Sequence, residues 1–141
     1  MKPDRTQGLT CYVDADFAGN WTSDQASDPR ACLSRTGFVI FHANCPVTWQ
    51  SKLQSAISLS TTEAECVALS SAMRDVMCLV HLIEEIKEAG VELPTASQPK
   101  TICGVFEDNE LARMATKIAH ACQLNLTVTD PWHFLIGTHK A

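Results

Sequence analysis

The sequence predicts an α/β domain in which a mixed β-sheet, antiparallel hairpin strands plus parallel strands, is flanked by helices. Three observations predict it. Leu9 to Phe17 alternates in polarity as a half-buried strand does, and a turn-linked pair of β-rich runs follows. A long amphipathic helical pattern then occupies Thr61 to Glu88. Beyond it the order is strand, helix, strand. Antiparallel strands come first and no Gly-rich phosphate loop follows a strand, so the pattern is not that of a dinucleotide-binding fold.

Taken in order, Leu9, Cys11, Val13, Ala15 and Phe17 share one side of the first strand. Thr10, Tyr12, Asp14 and Asp16 share the other, so two acids stand near its end. Ala18 to Arg35 is a long polar loop. Thr36 to His42 is a second strand, and the Asn44-Cys45-Pro46 turn leads into Val47 to Gln50 as its hairpin partner. Ser51 to Ile57 reads as a short link carrying Lys52, with Ala56 to Leu59 as a candidate third strand. Ser60, Thr61 and Thr62 are candidate N-caps, and Glu63 stands at the capping-box spacing from Ser60. The helix that follows has a candidate bend near Arg74 and closes at Gly90. Val91 to Lys100 is a loop, Thr101 to Phe106 a short apolar run, Glu110 to Cys122 a second helix and Leu124 to Val128 a strand.

At 141 residues the chain is long enough for one domain with a real core, taken as 1–141. The balance of 45% hydrophobic to 19% charged residues excludes a disordered chain. The start carries no signal-peptide pattern, and no apolar run approaches the roughly 20 residues of a membrane span. Seven cysteines are scattered without a C-x-x-C pair, which disfavours a zinc site. Several stand in apolar runs, as small buried hydrophobes in a reducing compartment do. The net charge of −5 argues against tight autonomous binding of nucleic acid without metal ions or a basic partner domain.

Glu65 does not fit a purely structural account. At about 100° per residue it falls on the stripe of Ala68, Ala72, Val76, Leu79, Leu82, Ile83 and Ile86, while Glu63 lies nearly opposite. A carboxylate facing a core is costly unless paired or neutralised. The plain alternative is that the stripe has already run out into solvent at the first turn. Asp14, late in the first strand, and Asp108, between a strand and a helix, stand at comparable places. Taken singly, Asp14 suits a solvated strand end and Asp108 a helix N-cap. Taken together, three acids from separate elements suit Mg²⁺, which prefers hard oxygen ligands, and two cations about 4 Å apart suit phosphodiester cleavage.

The chain resembles the ribonuclease H domain of copia-type LTR retrotransposon polyproteins. The family pattern Y-x-D-A-D-W-A-G meets Tyr12 to Gly19, with Phe17 in the tryptophan's place. The pattern S-x-S-G-[YF]-V-x-F meets Ser34 to Phe41, and P-[IV]-[ST]-W-x-S-K-x-Q meets Pro46 to Gln54. S-S/T-T-E-A-E-Y-x-A-L meets Ser60 to Leu69, with Cys66 for the tyrosine, and C-D-N-x-x-A meets Glu107 to Ala112. The resemblance implies a ribonuclease H-like fold and Mg²⁺-dependent hydrolysis, with Mn²⁺ as a substitute, of the RNA strand of RNA–DNA hybrids. It implicates Asp14, Glu65 and Asp108 as catalytic metal ligands, preferring Asp14 to Asp16 and Glu65 to Glu63. Lys52, Asn109 and Ser60 become nucleic-acid contact candidates. An adjacent reverse transcriptase domain and a cytoplasmic, virus-like-particle setting are implied as well.

Toward the end the chain departs from the pattern. His120 and Trp132-His133-Phe134 have counterparts, but the basic residues between them are replaced by Ala121 to Thr127. The family's final acidic segment, source of its fourth metal ligand, has no counterpart here. Asp130 is the nearest substitute, although it also suits a turn before Pro131. His133 and His139 are read as packed or surface residues rather than bases. A weakened metal site and uncovered sheet surface are therefore expected. Competing with the nuclease are a hybrid-binding or tethering domain without turnover, a decayed transposon remnant, and another nuclease or transposase of the same superfamily.

Overall fold

The computed structural model describes residues 8–25, 27–91, 93 and 103–108. Strand β1 (Leu9–Asp16), β2 (Arg35–His42) and β3 (Cys45–Leu53) precede helix α1 (Thr61–Glu88), and β4 (Cys103–Phe106) follows it. Two short 3₁₀ turns, Ser23–Gln25 and Pro29–Cys32, lie in the polar loop after β1. The strands form one mixed sheet in the order β3-β2-β1-β4. β1–β2 and β2–β3 are antiparallel, and β1–β4 is parallel. The expected helix 110–122 and strand 124–128, and with them the 1–141 domain extent, reach outside the described residues.

The alternation in β1 is realised up to Ala15, whereas Phe17, expected on the same side, lies beyond the strand and is exposed. Leu9, Cys11 and Val13 are buried while Tyr12, Asp14 and Asp16 are exposed. They join Phe38 and Ile40 of β2, Cys103 and Val105 of β4, and Ala68, Leu69, Ala72, Val76 and Ile83 of α1 in one core. The buried stripe of α1 is turned slightly from the expected one: Leu69 enters it, whereas Leu82 is 50% exposed. By length and composition α1 is apolar enough to cross a membrane, contrary to the expectation that no run approaches a span. Its apolar side packs on β1 and β2.

Four local expectations are corrected. The β2–β3 turn is Ala43-Asn44, both at positive φ (51° and 62°), the signature of a type I′ hairpin whose twist matches its strands. β3 starts at Cys45 and extends to Leu53, so Lys52 lies in the strand, and a bulge near Phe41 absorbs the proline at 46. Ala56 to Leu59 is not a strand; Ile57 and Leu59 are exposed while Ser58 turns inward. α1 is continuous through Arg74, because its residues there supply an unbroken helical pattern without Pro or Gly.

Both ends of α1 are fixed by side-chain and backbone caps. Ser60, extended at φ −152°, accepts from the Glu63 N–H at 3.1 Å. The Glu63 carboxylate accepts in return from the Leu59 N–H at 2.7 Å, a capping box displaced by one residue. At the other end Gly90, at φ +79°, donates to the Lys87 carbonyl and Val91 donates to that of Ile86, a Schellman ending. Gly90→Ala is expected to cost about 1–2 kcal/mol, since an L side chain in this region is strained. Ile40→Ala, in the fully buried centre of β2, should cost about 2–5 kcal/mol, and Leu59→Ala, at 89% exposure, less than about 0.5. Denaturant titration checks the order.

Candidate metal centre

Topology brings the three acids to one edge of the sheet. β1 runs parallel to β4 and antiparallel to β2, so β1, β3 and β4 all end at the same edge. The β1–β4 register pairs Tyr12 with Phe106, and their rings stack at 4.7 Å between centroids. Two residues further on stand Asp14, still within β1, and Asp108, just past the end of β4. β3 delivers the chain to that edge as well, so α1 begins there, with Glu65 in its early turns. Ligand sites in α/β sheets favour this carboxyl edge.

Among the described residues, Asp14, Glu65 and Asp108 form a group able to share a cation, one oxygen from each lying within 4.8 Å of the others. Asp14 and Asp108 are exposed, whereas Glu65 is 7% exposed. Oε2 of Glu65 is buried without a hydrogen-bond partner. Three hard oxygen donors with a buried, unsatisfied carboxylate oxygen among them suit a hard divalent cation. Asp16 is held elsewhere: its carboxylate lies against Gly19, where a Cβ would overlap it. Glu63 faces out and caps the helix.

Burial pushes the Glu65 carboxyl up to about 7, and the charges of Asp14 and Asp108 push in the same direction. Hydrogen bonds from Glu107 and from the Ala15 backbone oppose the shift. Glu107, only 2% exposed, is the acid that the sequence analysis did not weigh. Its signal is strand parity: Cys103 and Val105 face the core, and position 107 continues their side.

The remaining candidates fall into two groups. Lys52 is exposed in β3, opposite Thr36 in the register. Ser60 is exposed but its hydroxyl serves as the helix cap. Asn109, Asp130, His133 and His139 lie outside the described residues. Of the cysteines, Cys11 and Cys103 are buried as expected, Cys32, Cys45 and Cys66 are half-buried, and Cys78 is exposed. Burial first, then Asp75 and Glu107, pushes the Cys11 thiol up to about 12, which leaves it inert at neutral pH.

The chain is 33% identical over 78 residues to the retrovirus-related Pol polyprotein from transposon TNT 1-94 of Nicotiana tabacum, covering 55% of this chain. It is 29% and 28% identical to the corresponding polyproteins from transposons RE2 and RE1 of Arabidopsis thaliana, over 66% and 61% of this chain. These similarities support a retrotransposon Pol origin. It spans only 5–6% of the length of these relatives. No protein-family model and no solved structure matches it.

The raised Glu65 carboxyl fixes a pH dependence. The unfolded chain releases this proton near 4.5 and the folded chain near 7, so between these values the folded state binds more protons. Stability contributed by the neutral acid is therefore complete below about 4.5 and is lost as pH rises to about 7. In EDTA the melting temperature is expected to fall across this window, and Glu65→Gln should flatten the fall. An unchanged slope in Glu65→Gln would show that another group is responsible.

Proposed function

We propose that the chain is a ribonuclease H domain of a copia-type retrotransposon polyprotein, which hydrolyses the RNA strand of RNA–DNA hybrids with Mg²⁺. The observation that carries this reading is the convergence of Asp14, Glu65 and Asp108 at one sheet edge. The Pol relatives support its setting, and the reading takes an adjacent reverse transcriptase domain as partner.

Asp14, Glu65 and Asp108 would hold the cations, with Mn²⁺ as a substitute for Mg²⁺. Bound there, the ions supply an activated water and neutralise charge developing on the departing oxygen. The chain's own contribution is positional. The two parallel strands present Asp14 and Asp108 from the sheet, and α1 presents Glu65 from above it. The Ala15 N–H steadies Glu65 in its ionised form. The N-terminal end of α1 also favours negative charge at this edge. With a formal charge of −5, the chain itself repels phosphates, so cations are needed to seat a hybrid as well as to cut it. Exposed Lys52 is the positive side chain proposed to meet the backbone.

A second reading, hybrid binding without turnover, draws on the same site. A cation must displace the proton held by the raised Glu65 carboxyl, so loading weakens as pH falls below about 7. The two readings part in one assay: a labelled RNA–DNA hybrid with the purified chain in Mg²⁺ or Mn²⁺, beside Asp108→Asn. The nuclease reading expects metal-dependent cutting of the RNA strand, reduced roughly 10²-fold or more in the variant. Binding without cutting by folded protein would reject the nuclease and leave the tether.

A further inference from the structure

Gln54 is the first residue beyond β3, and it is 6% exposed. Its side-chain amide is used at both ends. The Nε2 group donates to the Ala64 carbonyl at 2.9 Å and to Thr36 Oγ1 at 3.2 Å. Its Oε1 accepts from the Ser58 hydroxyl at 3.0 Å. A carbonyl cannot donate, so contact with Ala64 fixes which end of the amide faces the helix. The Gln54 backbone N–H donates to the Ser34 carbonyl at 2.8 Å, and Ser34 Oγ accepts from the Ala18 N–H at 3.3 Å. Ser34, Thr36 and Ser58 are buried too.

These bonds join the pieces that carry the acids. Ala64 immediately precedes Glu65 in the first turn of α1. Thr36 pairs with Ala15, the neighbour of Asp14, in the β1–β2 register. Ala18 lies in the turn just after β1. Apolar packing of α1 on the sheet is non-directional and tolerates small slides of the helix along its axis. A buried, nearly saturated amide between the Ala64 carbonyl and Thr36 does not, because any slide leaves desolvated polar groups unpaired.

We propose that Gln54 is the positioning residue of the carboxylate centre, setting the first turn of α1, and so Glu65, against the end of β1 that carries Asp14. The proposal rests on reading the three acids as a metal centre. Gln54 touches neither the acids' converging oxygens nor any substrate, and acts through Ala64 and Thr36.

The test is Mn²⁺ binding, followed by electron paramagnetic resonance on the whole chain at a temperature well below melting. Wild type is compared with Gln54→Met, which keeps length and loses the amide, and with Val76→Ala. Val76 is a fully buried residue in the core of α1, away from this network. Both variants should melt at lower temperature. Gln54→Met should weaken Mn²⁺ binding by about 10- to 100-fold, as loss of an orienting partner does, while Val76→Ala should stay within about twofold of wild type. Ser58→Ala, which removes a single bond onto Gln54, should fall between them and serves if Gln54→Met does not fold. Wild-type affinity in folded Gln54→Met or Ser58→Ala would overturn the positioning role and leave the metal centre standing. Equal weakening in Val76→Ala would reduce Gln54 to general stability. No Mn²⁺ binding by the wild type would remove the metal centre itself, and the positioning role with it.

Discussion

A carboxyl group held against a core is the constraint on which this structure turns. Glu65 lies on the buried side of α1, at 7% exposure, beside two further acids at the edge of the sheet. Nothing about helix formation or core packing requires an acid there; Ala68 and Ala72 occupy the same stripe at no such cost. The burial raises its proton affinity and leaves one of its oxygens without a partner. A site that retains such a group works against its own stability, which is the usual mark of function over folding.

The surrounding elements can be understood as what holds that group in place. Ser60 and Glu63 cap the start of α1 reciprocally, so the early turns do not fray. Gln54 ties those turns to β2 and the link, and the Ala15 N–H meets Glu65 from β1. On the far side the stacked rings of Tyr12 and Phe106 join β1 to β4 just before their acids. The register of a parallel pair thereby becomes the distance between two carboxylates.

Much of this was legible in the chain. The period of 3.6 located α1 and put Glu65 rather than Glu63 on its inner side; Gly90 marked its end, and of the three N-cap candidates Ser60, Thr61 and Thr62 the structure uses Ser60. Alternation found β1 and its buried side. The same tools found β3 as the hairpin partner of β2 but cut it short, and for a physical reason. As an edge strand it is held by its ladder to β2 rather than by burial, so Pro46, Val47, Trp49, Ser51 and Lys52 are all exposed and no clean alternation survives. The short apolar run at Ala56 to Leu59 misled in the opposite sense, since Ile57 and Leu59 face solvent and only Ser58 is turned inward.

By itself the sequence determined which residues are acids at element ends, where the long helix begins and stops, and which face of each element is apolar. These are properties of local periodicity and capping, written within a few turns of chain. Only the tertiary structure decided that Asp14 and Asp108 stand near the ends of neighbouring parallel strands, that Asp16 turns away onto Gly19, and that Glu107 points in beside Glu65. Strand order and register arise from contacts between residues far apart in sequence, and no local pattern records them.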